Sequence, residues 1–530
     1  MTSGWWWKDA IVYCVDVKTF ADSNGDGWGD FDGLTGRLGY LRDLGVDTLW
    51  LLPHYPSPMR DDGYDVADYY SVDPRLGTIG DFLVMLRTAH RLGLRVVTEM
   101  VLNHSSDRHP WFMSARGRRD SPYRDFYLWA DEPKPDGRGV VFPGEQTETW
   151  TLDERTGQYY FHRYHDFEPD LAIGNPRVRE QMRRIMGYWL ELGVDGFRMD
   201  SLPFLVDKDG EPGADRHGYL RRFREFVSGR RDDALLLGEA NVDFEQQRAY
   251  FGDPRRPDEV SRAQMLFDFI LQAGVWLALA RGSAEPIERA LRGRPSVPPA
   301  GQYAFFLRHH DELTLEKGVS PAEREEVFKA FAPDPSARVY GRGIRRRLAP
   351  LLRGDPRRLR MALSLLMALP GTPVLLYGDE IGVGDNLELP GRWSVRVPMQ
   401  WTADGGFSSA PRDRWVRPSL VEGQFGSRRV NVAAQQGSAD SLLRFTQQLI
   451  SVRRECPEIG REGGEIVDTG QSSALVLRYG RVITVHNLSD APVEVRLGDV
   501  GRLTELCADQ RHPPGSVGIG PYGFRWLTSA

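Results

Sequence analysis

"GVDGFRMDSLPF" (193–204) places Arg198 and Asp200 at the end of a short apolar run and follows them at once with the turn formers Ser201 and Pro203. In an extended strand, residues two apart share a face, so Arg198 and Asp200 emerge together while Phe197 and Met199 face the other way. A charge pair so held either closes the strand end as a salt bridge or does chemistry. The rest of the chain decides between the two.

Working outward, "NPRVREQMRRIMGYWLELG" (175–193) precedes this run with apolar residues recurring at three and four, the spacing of a helix. The alternation repeats along the chain. Extended runs are "AIVYCVDV" (10–17), "TLWLLP" (48–53), "RVVTEMV" (95–101), "GFRMD" (196–200), "LLLGEA" (235–240), "MLFDF" (265–269), "YAFFLRHH" (303–310) and "PVLLYGDE" (373–380), with helical patterns such as "GDFLVMLRTAHRLG" (80–93) between them. Eight strands alternating with helices predict an α/β protein, a (β/α)8 TIM barrel, whose chemistry belongs at the C-terminal ends of the strands. Charged and polar residues fall there: Asn103 and His104 after the third run, Arg198 and Asp200 on the fourth, Glu239 on the fifth, His310 and Asp311 on the seventh. Convergence from four strand ends favours a functional site over a lone salt bridge.

Two segments interrupt the pattern. About 70 residues rich in Asp, Arg, Trp and Tyr follow the third strand, far more than an ordinary βα loop, and predict a small inserted domain. Beyond the helix "SLLRFTQQLISVRREC" (441–456), alternating runs such as "SALVLRYGRVITVHNL" predict a C-terminal antiparallel β-domain. The expected division is a barrel over 1–103 and 173–460, an insertion over 104–172 and a β-sandwich over 461–530. The basic run "RGIRRRLAPLLRGDPRRLR" (342–360) reads as a solvated helix face.

With 27% charged residues and a formal net charge of -6, the chain offers no basic footprint for nucleic acid or an anionic membrane. Cys14, Cys456 and Cys507 are too scattered for a disulfide framework or a metal knuckle and read as reduced, buried thiols. "MTSGWWWKDAIVY" lacks the basic and apolar regions of a signal peptide, and a cytoplasmic protein is expected. Its 14 Trp and 19 Tyr suit the flat walls of a saccharide pocket, but large cores use them too. Trp5 to Trp7 are expected to pack the bottom of the barrel.

"VLNHSS", "GFRMD", "GEAN" and "RHHDEL", in this order on the third, fourth, fifth and seventh strands, resemble the signature segments of the α-amylase superfamily of glycoside hydrolases (family 13). "LLPHYPSPMRDDGYDVADYY", "NHSSDRHPWF", "GIRRRLAPLL" and "YGDEIGVGDNL" followed by "RVPMQW" look like its trehalose-synthase branch, which interconverts maltose and trehalose. The resemblance implies Asp200 as nucleophile, Glu239 as general acid/base and Asp311 as transition-state stabiliser. A retaining mechanism needs two carboxyl groups about 5 Å apart, one attacking and one protonating the leaving oxygen. Arg198 would keep Asp200 ionised and oriented, while burial and neighbouring carboxylates would raise Glu239. His104 and His310 match residues that bond glucose hydroxyls. Asp61, Tyr64 and Arg392 match those that close the subsite around a non-reducing end, although Asp62 and Arg396 lie nearby.

"DSNGDGWGD" (22–30) alternates oxygen donors with glycines. The family has Ca²⁺ here, which implies Asp22, Asn24, Asp26, Asp30 and the Trp28 carbonyl as ligands. Asn103, Asp170 and Asp207 form a candidate second Ca²⁺ set. The chain departs from the family pattern at Glu99, where the trehalose-synthase branch also has Glu, and at Ala172, His309 and Val397; substitutions near a pocket rim can change what attacks the intermediate. The partner expected is therefore a small disaccharide, with no nucleic acid or membrane and with a homo-oligomer left open. Three readings stand: an intramolecular glucosyltransferase on maltose and trehalose; an exo-acting α-glucosidase or trehalose-degrading hydrolase with the same residues; and a non-catalytic binding barrel.

Overall fold

The computed structural model describes residues 4–134, 139–206, 216–253, 255–256, 259–498, 500, 503–507, 511–512 and 515–529. Eight strands, β1 (Val12–Val15), β2 (Thr48–Leu51), β3 (Arg95–Met100), β4 (Gly196–Met199), β5 (Leu235–Gly238), β6 (Met265–Phe267), β7 (Gln302–Phe306) and β8 (Thr372–Leu376), close into a barrel. Neighbours pair in parallel, and closure comes where Val12 of β1 meets Val374 of β8. Every residue of β4 and β5 is buried, as expected of a parallel sheet covered on both faces, and so these strands read as apolar runs without alternation.

The approach to β4 shows how the sequence sets this geometry. Helix Pro176–Leu192 is started by Asn175, whose side chain accepts the Arg177 N–H, and by Pro176 in the first turn. It stops at Gly193, whose φ of 112° lets its N–H return to the Leu190 and Trp189 carbonyls. Val178, Met182, Ile185, Met186 and Trp189 are buried on its inner face, and Trp189 donates its indole N–H to the Tyr69 carbonyl at 2.8 Å. Truncating such a buried Trp to Ala costs about 3–5 kcal/mol. At Gly196 an added Cβ would lie 2.3 Å from the Leu235 carbonyl oxygen, so glycine is what lets β4 approach β5 here.

Between β3 and β4 lie helix Pro110–Gly117 and a three-stranded antiparallel sheet in the order Trp129–Ala130, Gln158–Phe161, Trp150–Asp153. A bridge between His104 and Asp170 and the bond from Leu171 N–H to the Asn103 carbonyl stitch this segment to the top of β3. Past helix Leu442–Glu455, a six-stranded sheet and a two-stranded sheet (Val493–Arg496 with Ser516–Ile519) form two layers. In strand Ala474–Tyr479, Leu475, Leu477 and Tyr479 join the main core, while Ala474 and Val476 face the two-stranded sheet.

Trp6 and Trp7 donate their indole N–H groups to the Asp233 and Ala300 carbonyls, just ahead of β5 and β7, and so pack the bottom of the barrel, whereas Trp5, expected with them, is exposed under the Lys8 ammonium. Two further expectations need correction. β7 ends at Phe306, and residues 307–311 form a loop in which His309 Nδ1 accepts the Asp311 N–H, so His310 and Asp311 sit beyond the strand. The basic run at 342–360 is a solvated face only in its second half, where Arg353 and Arg357 are exposed. Arg347 is fully buried, donating to the Val395 carbonyl and the Asp379 carboxylate, and Arg345 donates to the Leu389 carbonyl. Among the described residues no helix is long and apolar enough to cross a membrane.

Candidate active site

Arg198 is the hub of the barrel's upper end. One guanidinium nitrogen donates to Glu99 and, at 2.5 Å, to Asp200; the other lies 2.8 Å from Glu239. Glu99 is held from its far side by the Trp50 indole N–H at 2.7 Å, and burial, outweighing Arg198, pushes it up to about 8. After β4 the chain turns at Ser201, whose φ is 55°. There the Ser201 N–H donates to Glu239 at 3.0 Å and the Leu202 N–H bonds the Glu239 carbonyl at 3.0 Å, which locks the ends of β4 and β5 together. Burial, reinforced by Asp200 and Asp311 against the pull of Arg198, raises Glu239 to about 7. Asp200 and Glu239 are thus gripped by one guanidinium, side by side.

Opposite them, Asp311 accepts from Arg392 at 2.9 Å and Arg396 at 2.7 Å and lies 3.1 Å from His310 Nε2. Burial would raise its carboxyl, but His310, Arg392 and Arg396 outweigh burial and hold it well below the usual carboxylate range. Arg392 also donates to Asp61 at 2.6 Å, and both line the cavity. Asp62 and Arg396 form a second pair at 2.7 Å, behind the first and outside the lining. The ambiguity in "DDGYD" is thereby resolved: Asp61 and Arg392 face the cavity. Tyr64 stacks on His310, and its hydroxyl is 2.6 Å from His310 Nε2; Tyr64 and His104 line the cavity, whereas His310 and Arg198 stand behind it. His309 reaches the wall in place of His310.

The cavity has a volume of about 780 Å³, ample for two sugar rings. Its rim was not legible in the sequence. Phe142, from the inserted segment, lies under the Arg392 guanidinium at 4.5 Å and against Tyr340 at 4.9 Å between ring centres. Tyr340 donates to Glu145 at 2.9 Å, and Arg342 donates to the Val141 carbonyl at 2.8 Å and to Glu312 at 3.3 Å. These contacts tie the inserted segment to a small sheet (Leu313–Thr314, Gly343–Ile344, Arg338–Val339) that follows β7. Strands of two residues carry no periodicity; only the basic run hinted that Arg342 was there.

In the 22–30 loop, Asp22 accepts the N–H groups of Asn24, Gly25 and Gly27, Asn24 that of Asp26, and Asp26 that of Trp28. Asp30 accepts from Ser23 and caps helix Phe31–Leu44. Gly25 and Gly27, with φ of 79° and 97°, wrap the loop on itself. The donors are all oxygens, with acceptor capacity left on the outer carboxylates and the Asn24 amide, a set that fits a hard cation. The second candidate set differs. Asn103 Nδ2 lies 3.3 Å from Asp170 Oδ1 where the inserted segment joins the barrel, and Asp207 lies outside the described residues.

The catalytic-domain model of the alpha-amylase family matches residues 15–279 and 345–462, and the chain belongs to that family. Its relatives are more specific. It is 43% identical, over 90% of its length and 81% of the relative's, to the trehalose synthase/amylase TreS of Mycolicibacterium smegmatis, and 41% identical, over 98% and 95%, to the trehalose synthase of Pimelobacter sp.. The solved trehalulose synthase MutB of Pseudomonas mesoacidophila superposes with a TM-score of 0.78 at 25% identity, covering 99% of both chains.

Proposed function

We propose that this protein interconverts maltose and trehalose by intramolecular glucosyl transfer through a covalent glucosyl–Asp200 intermediate. The observation that carries the reading is the shared guanidinium of Arg198. It sets Asp200 beside Glu239 at the floor of a cavity blocked behind by the Asp61–Arg392 pair. Such adjacency suits a retaining mechanism, because an inverting one leaves about 6.5–9.5 Å between its carboxyls for a water. The Asp200 carboxylate attacks the anomeric carbon while Glu239, protonated up to about pH 7, delivers its proton to the departing oxygen. Asp311, fixed as an anion by Arg392 and Arg396, stabilises the oxocarbenium-like transition state. The freed glucose then turns and attacks through its anomeric hydroxyl, returning a proton to Glu239. Asp61, Tyr64 and His104 are read as the holders of the retained glucosyl unit, with His310 bracing Tyr64 and Asp311 from behind.

Ca²⁺ at Asp22, Asn24, Asp26, Trp28 and Asp30 is part of the proposal, as a structural ion that would pin the loop ahead of helix Phe31–Leu44. So is a cytoplasmic setting, which rests on three cysteines that remain thiols. The second reading is hydrolysis by the same residues, favoured by the likeness to the Mycolicibacterium trehalose synthase/amylase. The test is to incubate the enzyme with maltose, and separately with trehalose, and follow all sugars by NMR. Mutual conversion with minor free glucose supports the isomerase. Glucose rising in step with substrate loss makes the protein a hydrolase.

A further inference from the structure

Asp200 is touched from one side by Arg198 and from the other by Ser201, whose hydroxyl lies 2.6 Å from Asp200 Oδ2. The Tyr164 hydroxyl, carried by the inserted segment, lies 2.5 Å from Ser201 Oγ. The direction of this chain follows from donor counting. A nucleophilic carboxylate only accepts, so the single Ser201 proton points at Asp200, and Ser201 Oγ must then accept the Tyr164 proton. Burial, with the charge of Asp200, raises Tyr164 well above an ordinary phenol, so that proton stays in place. Ser201 adopts a φ of 55°, a region costly for residues other than glycine, and the turn is what brings its hydroxyl onto the nucleophile and its N–H onto Glu239.

We propose that Tyr164 and Ser201 are positioning residues forming a hydrogen-bond relay that governs how fast the glucosyl–Asp200 ester breaks down. The inference rests on Asp200 being the nucleophile. The relay bonds the full carboxylate most strongly, the partly charged transition states less and the neutral ester least. It therefore restrains attack on the substrate and assists departure of the carboxylate when the ester breaks. In that step the C–O bond to Asp200 cleaves with its electron pair returning to the carboxylate, while the attacking hydroxyl gives its proton to Glu239.

Removing the serine hydroxyl makes ester breakdown slower without slowing ester formation. The test uses the full-length protein and an aryl α-glucoside, whose phenol release reports ester formation. For Ser201→Ala, kcat and KM are expected to fall together by about tenfold, kcat/KM to change less than threefold, and a burst of phenol near one equivalent to precede steady state. Tyr164→Phe, which leaves Ser201 in place, should give the same pattern at smaller amplitude. A fall in kcat/KM equal to that in kcat, with no burst, in both variants would overturn the relay and leave the residues merely structural; so would unchanged kinetics in both. A wild-type enzyme that releases no phenol from any aryl α-glucoside, yet binds it, would instead remove the proposed function.

Discussion

Asp61 and Asp62 are adjacent in the chain and equally acidic, yet one faces the cavity and the other faces the protein. Asp61 meets Arg392 on the cavity wall, whereas Asp62, at a φ of 56°, turns back to Arg396, Arg417 and Lys18 in a site that is 2% exposed. Asp311 touches both arginines and joins the two pairs. The difference separates two uses of an ion pair. In the front pair the charges are held for a ligand, so disturbing it should change binding. In the rear pair three cations surround one buried carboxylate, so disturbing it should change folding.

The largest effect expected is at the cavity face itself. Asp200→Ala should lower kcat by about 10⁴-fold or more with native stability retained, as read by steady-state kinetics beside thermal melting. Asp62→Asn should lower unfolding free energy by about 3–5 kcal/mol in a denaturant titration, because it takes from buried Arg417 its carboxylate partner and leaves Arg396 with Asp311 alone. Asp61→Asn should change stability by less than about 1 kcal/mol and raise KM about tenfold or more, as expected for a lost charged hydrogen bond. If the two asparagine variants behave alike, the division between front and rear pair is wrong.

Two weaker effects sharpen the picture. Glu239 acts with its proton on, and that proton is lost as pH rises through about 7, so kcat/KM should decline above pH 7 and hold below it until another group titrates. A profile flat to pH 9 would take the acid role from Glu239. Chelation of divalent cations should lower Tm by a few degrees through the 22–30 loop, with re-addition of Ca²⁺ restoring it. The same chelation of an Asp22→Ala, Asp26→Ala variant should leave Tm unchanged.

The sequence made the barrel and its charged strand ends readable because parallel strands are buried apolar runs, and an ionisable residue at the end of each stands out against them. Arg198, Asp200 and Glu239 are all carried by the β4 and β5 ends. What it hid depended on side-chain direction. No pattern in "DDGYD" distinguishes Asp61 from Asp62; the left-handed turn at Asp62 does. "YAFFLRHH" continues as an apolar run past Phe306, but the bonds of Arg308 and His309 to the Asp311 backbone close a loop there. The basic run failed as a surface prediction in its first half because a planar guanidinium can be buried against carbonyls and a carboxylate, as Arg347 is. Ser201 was legible as a turn, but its hydroxyl acquires meaning only once Tyr164 arrives from the inserted segment.

The most direct test of the account is to trap the intermediate with a 5-fluoro-α-glucosyl fluoride, whose fluorine slows ester breakdown, then digest the protein and map the adduct by mass spectrometry. The account predicts one fluoroglucosyl group, on Asp200, and none in Asp200→Ala. Turnover of α-glucosides with no adduct, or an adduct on another carboxylate, would contradict it.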